Sequence, residues 1–177
     1  MHLSVQTISK RSAGLIRFVK EFKNLTHVPK PKLVEINVKA LLDELVMLHR
    51  KELADNGVSI EVKLQSDDLS LMADKTLIEQ VIINLIKNAI QAFSNQTDRK
   101  IFVSAHKNDN HIIISVRDNG NGIDPDALDK IFIPFFTTKK TGSGIGLSLS
   151  RQIMRQHGGQ ISVKSTLGEG TEFVLRF

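Results

Sequence analysis

Cysteine, tryptophan and tyrosine are all missing from the 177 residues. Without cysteine there is no disulfide framework and no thiolate metal site, and the absence fits a reducing compartment. Without Trp or Tyr there is little from which to build the stacking platforms that bind single-stranded nucleic acid. No apolar run approaches the roughly 18–20 residues of a membrane span. The opening "MHLSVQTISKRS" turns polar at once, unlike a secretory signal. Repeats and low-complexity segments are absent too. What remains is 41% hydrophobic, enough for a packed core in one domain of ordinary size, or in a domain with an appendage.

The net charge of +5 is unevenly spread. Residues 1–32 carry Lys10, Arg11, Arg17, Lys20, Lys23, Lys30 and Lys32 against Glu21 alone, and residues 33–177 are nearly neutral. A basic helix could meet DNA or anionic lipid, or simply present a solvated face. Within it, Val5, Ser12 and Val19 with Ile8, Leu15 and Phe22 fall on an a/d seam, predicting a helix over 4–26 packed against other helices. The prolines of "HVPKPK" (27–32) end it. The boundary is therefore placed between 1–32 and 33–177.

From Leu33 onward strands and helices alternate. "LVEIN" reads as a short strand, with Asn37 capping a helix to about Asp55. "NG" turns the chain into the alternating "VSIEVKL", and "LSLMA" is a short strand before Asp74, the cap of a long helix to about Phe93. "KIFVSAHKNDNHIIISVRD" is a hairpin. A loop from Asn119 to about Ser143 leads to a helix ending near Gln156, and "QISVKST" and "TEFVLRF" close the chain around "LGEG". The class is α+β: one mixed, mostly antiparallel sheet with helices over one face, plus the N-terminal helix.

Four features in these elements could carry chemistry. On the long helix, Gln80, Asn84 and Asn88 stand one turn apart on one face, opposite the stripe of Leu77, Ile78, Val81, Ile82, Leu85 and Ile86. Two asparagines offer neutral oxygens to a hard cation such as Mg²⁺, or form a solvated edge. In "VRDNGNGID", Asp118 ends a strand where a carboxylate could accept a hydrogen bond from an exocyclic amine, with Gly120 and Gly122 beside it; the same letters also make an ordinary turn. "TGSGIGL" puts Gly142, Gly144 and Gly146 at a helix start, where backbone N–H groups face an anion, with Lys139 and Lys140 just before. It matches neither a Walker A loop nor a dinucleotide fingerprint. In "GEGT", Thr171 could place a hydroxyl beside Asp118.

The ordered set "QVIINLIKNA", "DNGNGI", "IFIPFFTTKKTGSGIGLSL" and "GEGTEF" resembles the ATP-binding catalytic domain of sensor histidine kinases, of the nitrogen-regulation type, within the superfamily that includes gyrase, mismatch-repair ATPases and a chaperone ATPase. The likeness covers roughly residues 33–177, and "FVKEFKNLTHVPKP" resembles the second helix of the dimerisation and phosphotransfer domain that precedes it. It implies a two-layer α/β sandwich of the Bergerat type. It also implies ATP and Mg²⁺ as cofactors, with Asn88 on the metal, Asn84 and Lys139 as catalytic groups near the phosphates, and Asp118 on the adenine amine. The nucleotide would further meet Gly120, Gly122, Ile123, Phe135, Thr138, Gly142, Ser143, Gly144, Ile145, Gly146, Leu147 and Thr171. Phe132, Phe135 and Phe136 would anchor a lid from about Pro134 to Gly146.

Two departures shape the functional expectation. Hydrolytic members of the superfamily carry a Glu one turn before the metal Asn, where this chain has Asn84, so water attack is disfavoured. The histidines His2, His27, His49, His106, His111 and His157 all lack the "His-Glu…Pro" setting of the phosphoacceptor. The expectation is therefore a kinase unit transferring the γ-phosphoryl of Mg-ATP to a histidine not in this chain, for relay to the receiver domain of a response regulator. It implies a homodimer in the full-length protein, no nucleic-acid partner, and a cytoplasmic location, free or as part of a membrane-anchored sensor. The rival readings are a non-catalytic, ATP-gated binding module and a DNA- or membrane-binding domain led by the basic helix.

Overall fold

The computed structural model of the chain describes Lys23, residues 28–139 and residues 142–177. The helix expected over 4–26 falls, Lys23 apart, outside the described residues, and residues 28–32 of the expected boundary are neither helix nor strand.

Side-chain caps start the first two long helices. Strand β1 (Val34–Asn37) runs straight into α1 (Val38–Asp55). The turn is fixed by Asn37, whose Oδ1 accepts from the backbone N–H of Ala40 at 2.8 Å. Strand β2 (Val58–Leu64) follows through Gly57, at φ 62. Strand β3 (Ser70–Ala73) then enters α2 (Lys75–Ile90) through Asp74, whose Oδ1 accepts from Leu77 N–H at 3.2 Å. The other oxygen of Asp74 accepts from Lys32 N–H at 2.9 Å, and its own N–H donates to Nε2 of His157 at 3.0 Å. One short side chain and its backbone thus join three distant parts of the chain. The Lys32 N–H holds the Asp74 carboxyl below its ordinary range.

The hairpin is β4 (Arg99–Asn108) and β5 (His111–Asp118), turned at Asp109 with φ 52. After a one-turn helix α3 (Pro125–Leu128) come α4 (Gly146–Gln156), β6 (Gln160–Thr166) and β7 (Gly170–Arg176). Five strands lie in the order β2-β4-β5-β7-β6, with only the β2–β4 pair parallel. The register lines up Val62, Val103, Val116, Phe173 and Val163 in one row across all five. Beneath the helices sit Ile101, Val103, Ala105, Ile114, Val116, Phe173 and Leu175, all buried. Alternate positions such as Glu61, Lys63 and Lys164 face the other way. The α2 stripe, with Ile78, Val81, Ile82 and Leu85 at 0% exposure, fills the space between helix layer and sheet. Among the described residues no helix is long and apolar enough to cross a membrane.

Three expectations shift in detail. The single sheet is two: β1 and β3 pair only with each other, antiparallel, with Val34 opposite Ala73. Each runs directly into a helix cap and has no length left to join the larger sheet. Helix α2 stops at Ile90 rather than near Phe93, because the chain turns there and the Ala92 carbonyl accepts from Asn121 N–H at 2.9 Å. The loop from Asn119 contains α3, started by Asp124 Oδ1 accepting from Asp126 N–H at 2.8 Å.

Replacing Asp74 by Ala is predicted to cost about 1 kcal/mol at neutral pH, the usual worth of such a cap. Because the folded pKa is depressed, that contribution is present above the ordinary carboxyl pKa and is lost as pH falls through the folded value. Urea unfolding of both proteins should therefore show a gap at neutral pH that closes in acid; a gap independent of pH would contradict the role.

Candidate nucleotide-binding site

A row of polar side chains crosses the sheet at one end of β5. The register places Asp118 beside Thr171, and Thr171 beside Ser165, in the row that continues through Ile101 and Ile60. Paired residues share a face, so all three point to the helix side. Asp118 is only 3% exposed. Its Oδ1 accepts from Gly120 N–H at 2.9 Å. Burial pushes its carboxyl above the ordinary range, while the N–H groups of Gly120 and Thr171 and the charge of Lys139 pull it partly back.

Thr171 does not spend its hydroxyl on Asp118. Its Oγ1 lies 2.9 Å from Ser165 Oγ, which also donates to the Gly170 carbonyl at 3.0 Å and accepts from Ile123 N–H at 2.8 Å. Ser165 is therefore the post that holds the Asp118 loop against the last hairpin, and the sequence reading missed it. Pairing "QISVKST" with "GTEFVLR" across the tight turn would have put Ser165 opposite Thr171. Gly120 is packed against Ala92, and Gly122 against the Thr166 carbonyl.

Helix α2 supplies the opposite wall. Asn84 donates through Nδ2 to Ser150 Oγ on α4 at 3.0 Å, and its oxygen rests on Gly146. A side chain at Gly146 would collide with that amide. Asn84 was expected beside the phosphates; in the structure its amide braces α2 against the first turns of α4, at Gly146. Asn88 Oδ1 accepts from the Lys139 ammonium at 3.1 Å, and Gln91 Oε1 accepts from it at 3.0 Å. Burial lowers the Lys139 pKa, against which the charge of Asp118 acts. The two make no direct ion pair among the described residues.

The loop between Phe132 and Gly146 is tied at its base. Phe135 N–H donates to the Gly144 carbonyl at 2.9 Å, with both residues at positive φ, 69 and 70. A Cβ on Gly144 would strike the Phe135 backbone. Thr137 Oγ1, also unforeseen, accepts from Lys139 N–H at 3.1 Å and shapes the approach of that lysine. Phe132 and Phe136 pack on the core as expected of anchors, whereas Phe135 is 42% exposed. Thr138, Gly142 and Ser143 are exposed. The side chain of Ile145 is turned into the core at 2% exposure, so a ligand would meet its backbone, whereas Ile123 and Leu147 pack on the core but stay partly exposed.

Helix α4 begins without a side-chain cap, with Ile145 at the cap position. Its first N–H groups lack the usual partner and favour an anion. Among the described residues no cluster of three acidic or histidine side chains could hold a metal. Asn88 Oδ1 already receives one cation, the Lys139 ammonium, and a hard cation needs few protein oxygens when phosphates and water complete its shell. The site combines a buried acceptor, a half-buried ammonium and an uncapped helix start. It suits a ligand with an N–H donor at one end and phosphate at the other.

Comparison with known proteins agrees with that chemistry. The family described as "Histidine kinase-, DNA gyrase B-, and HSP90-like ATPase" matches residues 73–177. The sensor histidine kinase ZraS of Escherichia coli K12 is 35% identical over 176 residues, covering 98% of this chain and 37% of ZraS. The histidine-protein kinase AtoS of the same strain is 37% identical over 80% of this chain and 23% of its own. The chain thus spans only 23–37% of the length of these relatives. The solved catalytic domain of histidine kinase ThkA superimposes with a TM-score of 0.74 at 31% identity, covering 82% of this chain and 95% of that one. ThkA in complex with the response regulator TrrA gives 0.79 at 28% identity over 98% of this chain and 50% of ThkA.

The raised pKa of Asp118 makes its ionised form a cost to folding. Its contribution is most favourable below the ordinary carboxyl pKa and is lost as pH rises through the folded value. Asp118→Asn is therefore predicted to be more stable than the parent at neutral pH, with the difference closing toward acid. Urea midpoints across that range test it; a variant less stable at neutral pH would contradict the electrostatic picture.

Proposed function

The chain belongs to the histidine kinase-, DNA gyrase B- and HSP90-like ATPase family, and from that premise we propose that it binds Mg-ATP at Asp118, Asn88 and Lys139 and delivers the γ-phosphoryl to a histidine on another segment. The supporting observation is Asp118: a 3%-exposed carboxylate, held by the Gly120 N–H, at the edge of a glycine-rich lid. Such a group is costly unless a donor meets it, and the exocyclic amine of adenine is a donor of the right kind.

Each remaining part has a role. The first N–H groups of α4, from Gly146, receive phosphate oxygens. Lys139 leaves Asn88 and Gln91 to meet the terminal phosphates, which frees the Asn88 oxygen for Mg²⁺. Asn88 would hold a Mg²⁺ ion there, whose charge would offset that of the phosphates. Gly142 and Gly144 let the lid follow the phosphate track, while Phe132 and Phe136 hold its root in the core. Asn84 acts by positioning: it fixes the start of α4 through Ser150. It offers no carboxylate to activate water, so ATP is kept for the histidine acceptor. Catalysis is then alignment and charge neutralisation, with no covalent intermediate on this chain.

The acceptor histidine would lie on a dimerisation helix, residues 1–32 forming its companion, and the full-length protein would be a homodimer. A response-regulator receiver domain is the onward partner by likeness to ThkA, solved with TrrA. Calorimetric titration with ATP, with and without Mg²⁺, tests the site. Asp118→Asn should weaken binding about 10- to 100-fold, the worth of one hydrogen bond to a charged group. Equal affinity would overturn the adenine assignment. Acid-labile phosphate should appear on a separately supplied acceptor helix; tight ATP binding without it would mark a nucleotide-gated module instead.

A further inference from the structure

Ser165 uses everything its hydroxyl has to offer, which is one proton and two lone pairs. The proton goes to the Gly170 carbonyl at 3.0 Å, because a carbonyl can only accept. One lone pair takes the Ile123 N–H at 2.8 Å, because a backbone N–H can only donate. The third contact is with Thr171 Oγ1 at 2.9 Å, and only a lone pair is left to make it. Thr171 is therefore the donor in that bond. Its single proton is directed at Ser165, and toward anything else its oxygen can only accept.

The consequence falls on Asp118. Thr171 stands between Asp118 and Ser165 in one cross-strand row, and Asp118 and Thr171 are both buried. The Asp118 carboxylate already accepts from the N–H groups of Gly120 and Thr171, and once ionised it too has no proton to give. Two neighbouring side chains thus present acceptors and no donor. The arrangement is held in place, because the loop carrying Gly120 and Gly122 is tied twice to the last hairpin. Ile123 N–H donates to Ser165, and Gly168 N–H donates to the Asn121 carbonyl at 2.7 Å. Backbone meets backbone there: a Cβ on Gly122 would strike the Thr166 carbonyl, and one on Gly170 the Asp118 carbonyl.

We propose that Ser165 is a positioning residue for base selection: by drawing the Thr171 proton to itself it leaves an acceptor-only edge at Asp118 and Thr171, which takes a purine with an amine at its six-position and turns away one with a carbonyl there. A carbonyl oxygen set against two acceptors finds no donor and gives up its water for nothing. The role rests on the reading of Asp118 as the base-binding group, and extends it to a residue that need not touch the ligand.

Calorimetric titration of the whole chain with Mg-ATP and with Mg-ITP, whose inosine carries a carbonyl in place of the amine, gives the ratio of the two affinities. The parent should favour ATP. Ser165→Ala removes the acceptor of the Thr171 proton, so the hydroxyl can turn and donate to the inosine carbonyl. The ratio should then fall roughly tenfold, the worth of about one hydrogen bond. Ser165→Cys keeps a weaker acceptor in place and should change the ratio in the same direction by less, which keeps the test open if the alanine variant does not fold. Adding Thr171→Val to Ser165→Ala removes the hydroxyl that turns and should cancel the gain in ITP affinity. If Ser165 only braces the loop, both nucleotides weaken by the same factor and the ratio stays; that result overturns the role while the ATP site stands. A parent that binds ATP and ITP alike overturns it as well. A parent that binds no ATP overturns the nucleotide reading, and the role of Ser165 with it.

Discussion

One carboxamide, Asn84, fixes where the last helix begins, and the site depends on it. Its amide hydrogen on Ser150 and its oxygen on Gly146 lock α4 to α2 at the point where the lid returns to the core. Helix α2 can serve as that reference because its other face is completely buried. One turn further on, Asn88 holds the tip of the same lid through Lys139. The root is closed by Phe135 on Gly144. The loop is thus held at two points, at its root and through the clip at Lys139.

The clip is electrostatically expensive. Burial works against the charged form of both Asp118 and Lys139, and each charge only partly offsets the penalty on the other. A buried carboxylate and a half-buried ammonium in one cleft, with no direct ion pair between them, is the arrangement expected of a functional site. A donor reaching Asp118 and phosphate reaching Lys139 satisfy both groups at once. Stability is thereby given up at the residues that the proposed function uses.

Much of this was legible in the letters. Asn37 and Asp74 announced their helices because a cap is a local event, read from one side chain and the next turn. The strands of the large sheet followed from alternation, and the α2 amides stood out because asparagine is a poor choice on a helix surface. What escaped depends on contacts far apart in sequence. Helix α2 ends at Ile90 because Asn121 takes the Ala92 carbonyl. Thr171 turns its hydroxyl to Ser165 because of hairpin register. Ile145 looks like part of a phosphate loop, yet its side chain belongs to the core.

The proposed function requires an exchange of cations at Asn88, the Lys139 ammonium giving way to a metal carried in with the nucleotide. The side-chain amide resonances of Asn88, followed by NMR as ATP is added first without and then with Mg²⁺, report on it directly. They should shift as Lys139 leaves and shift again when Mg²⁺ is supplied. Asn88 amide resonances that stay fixed, while Gly120 beside Asp118 responds to ATP, would contradict it.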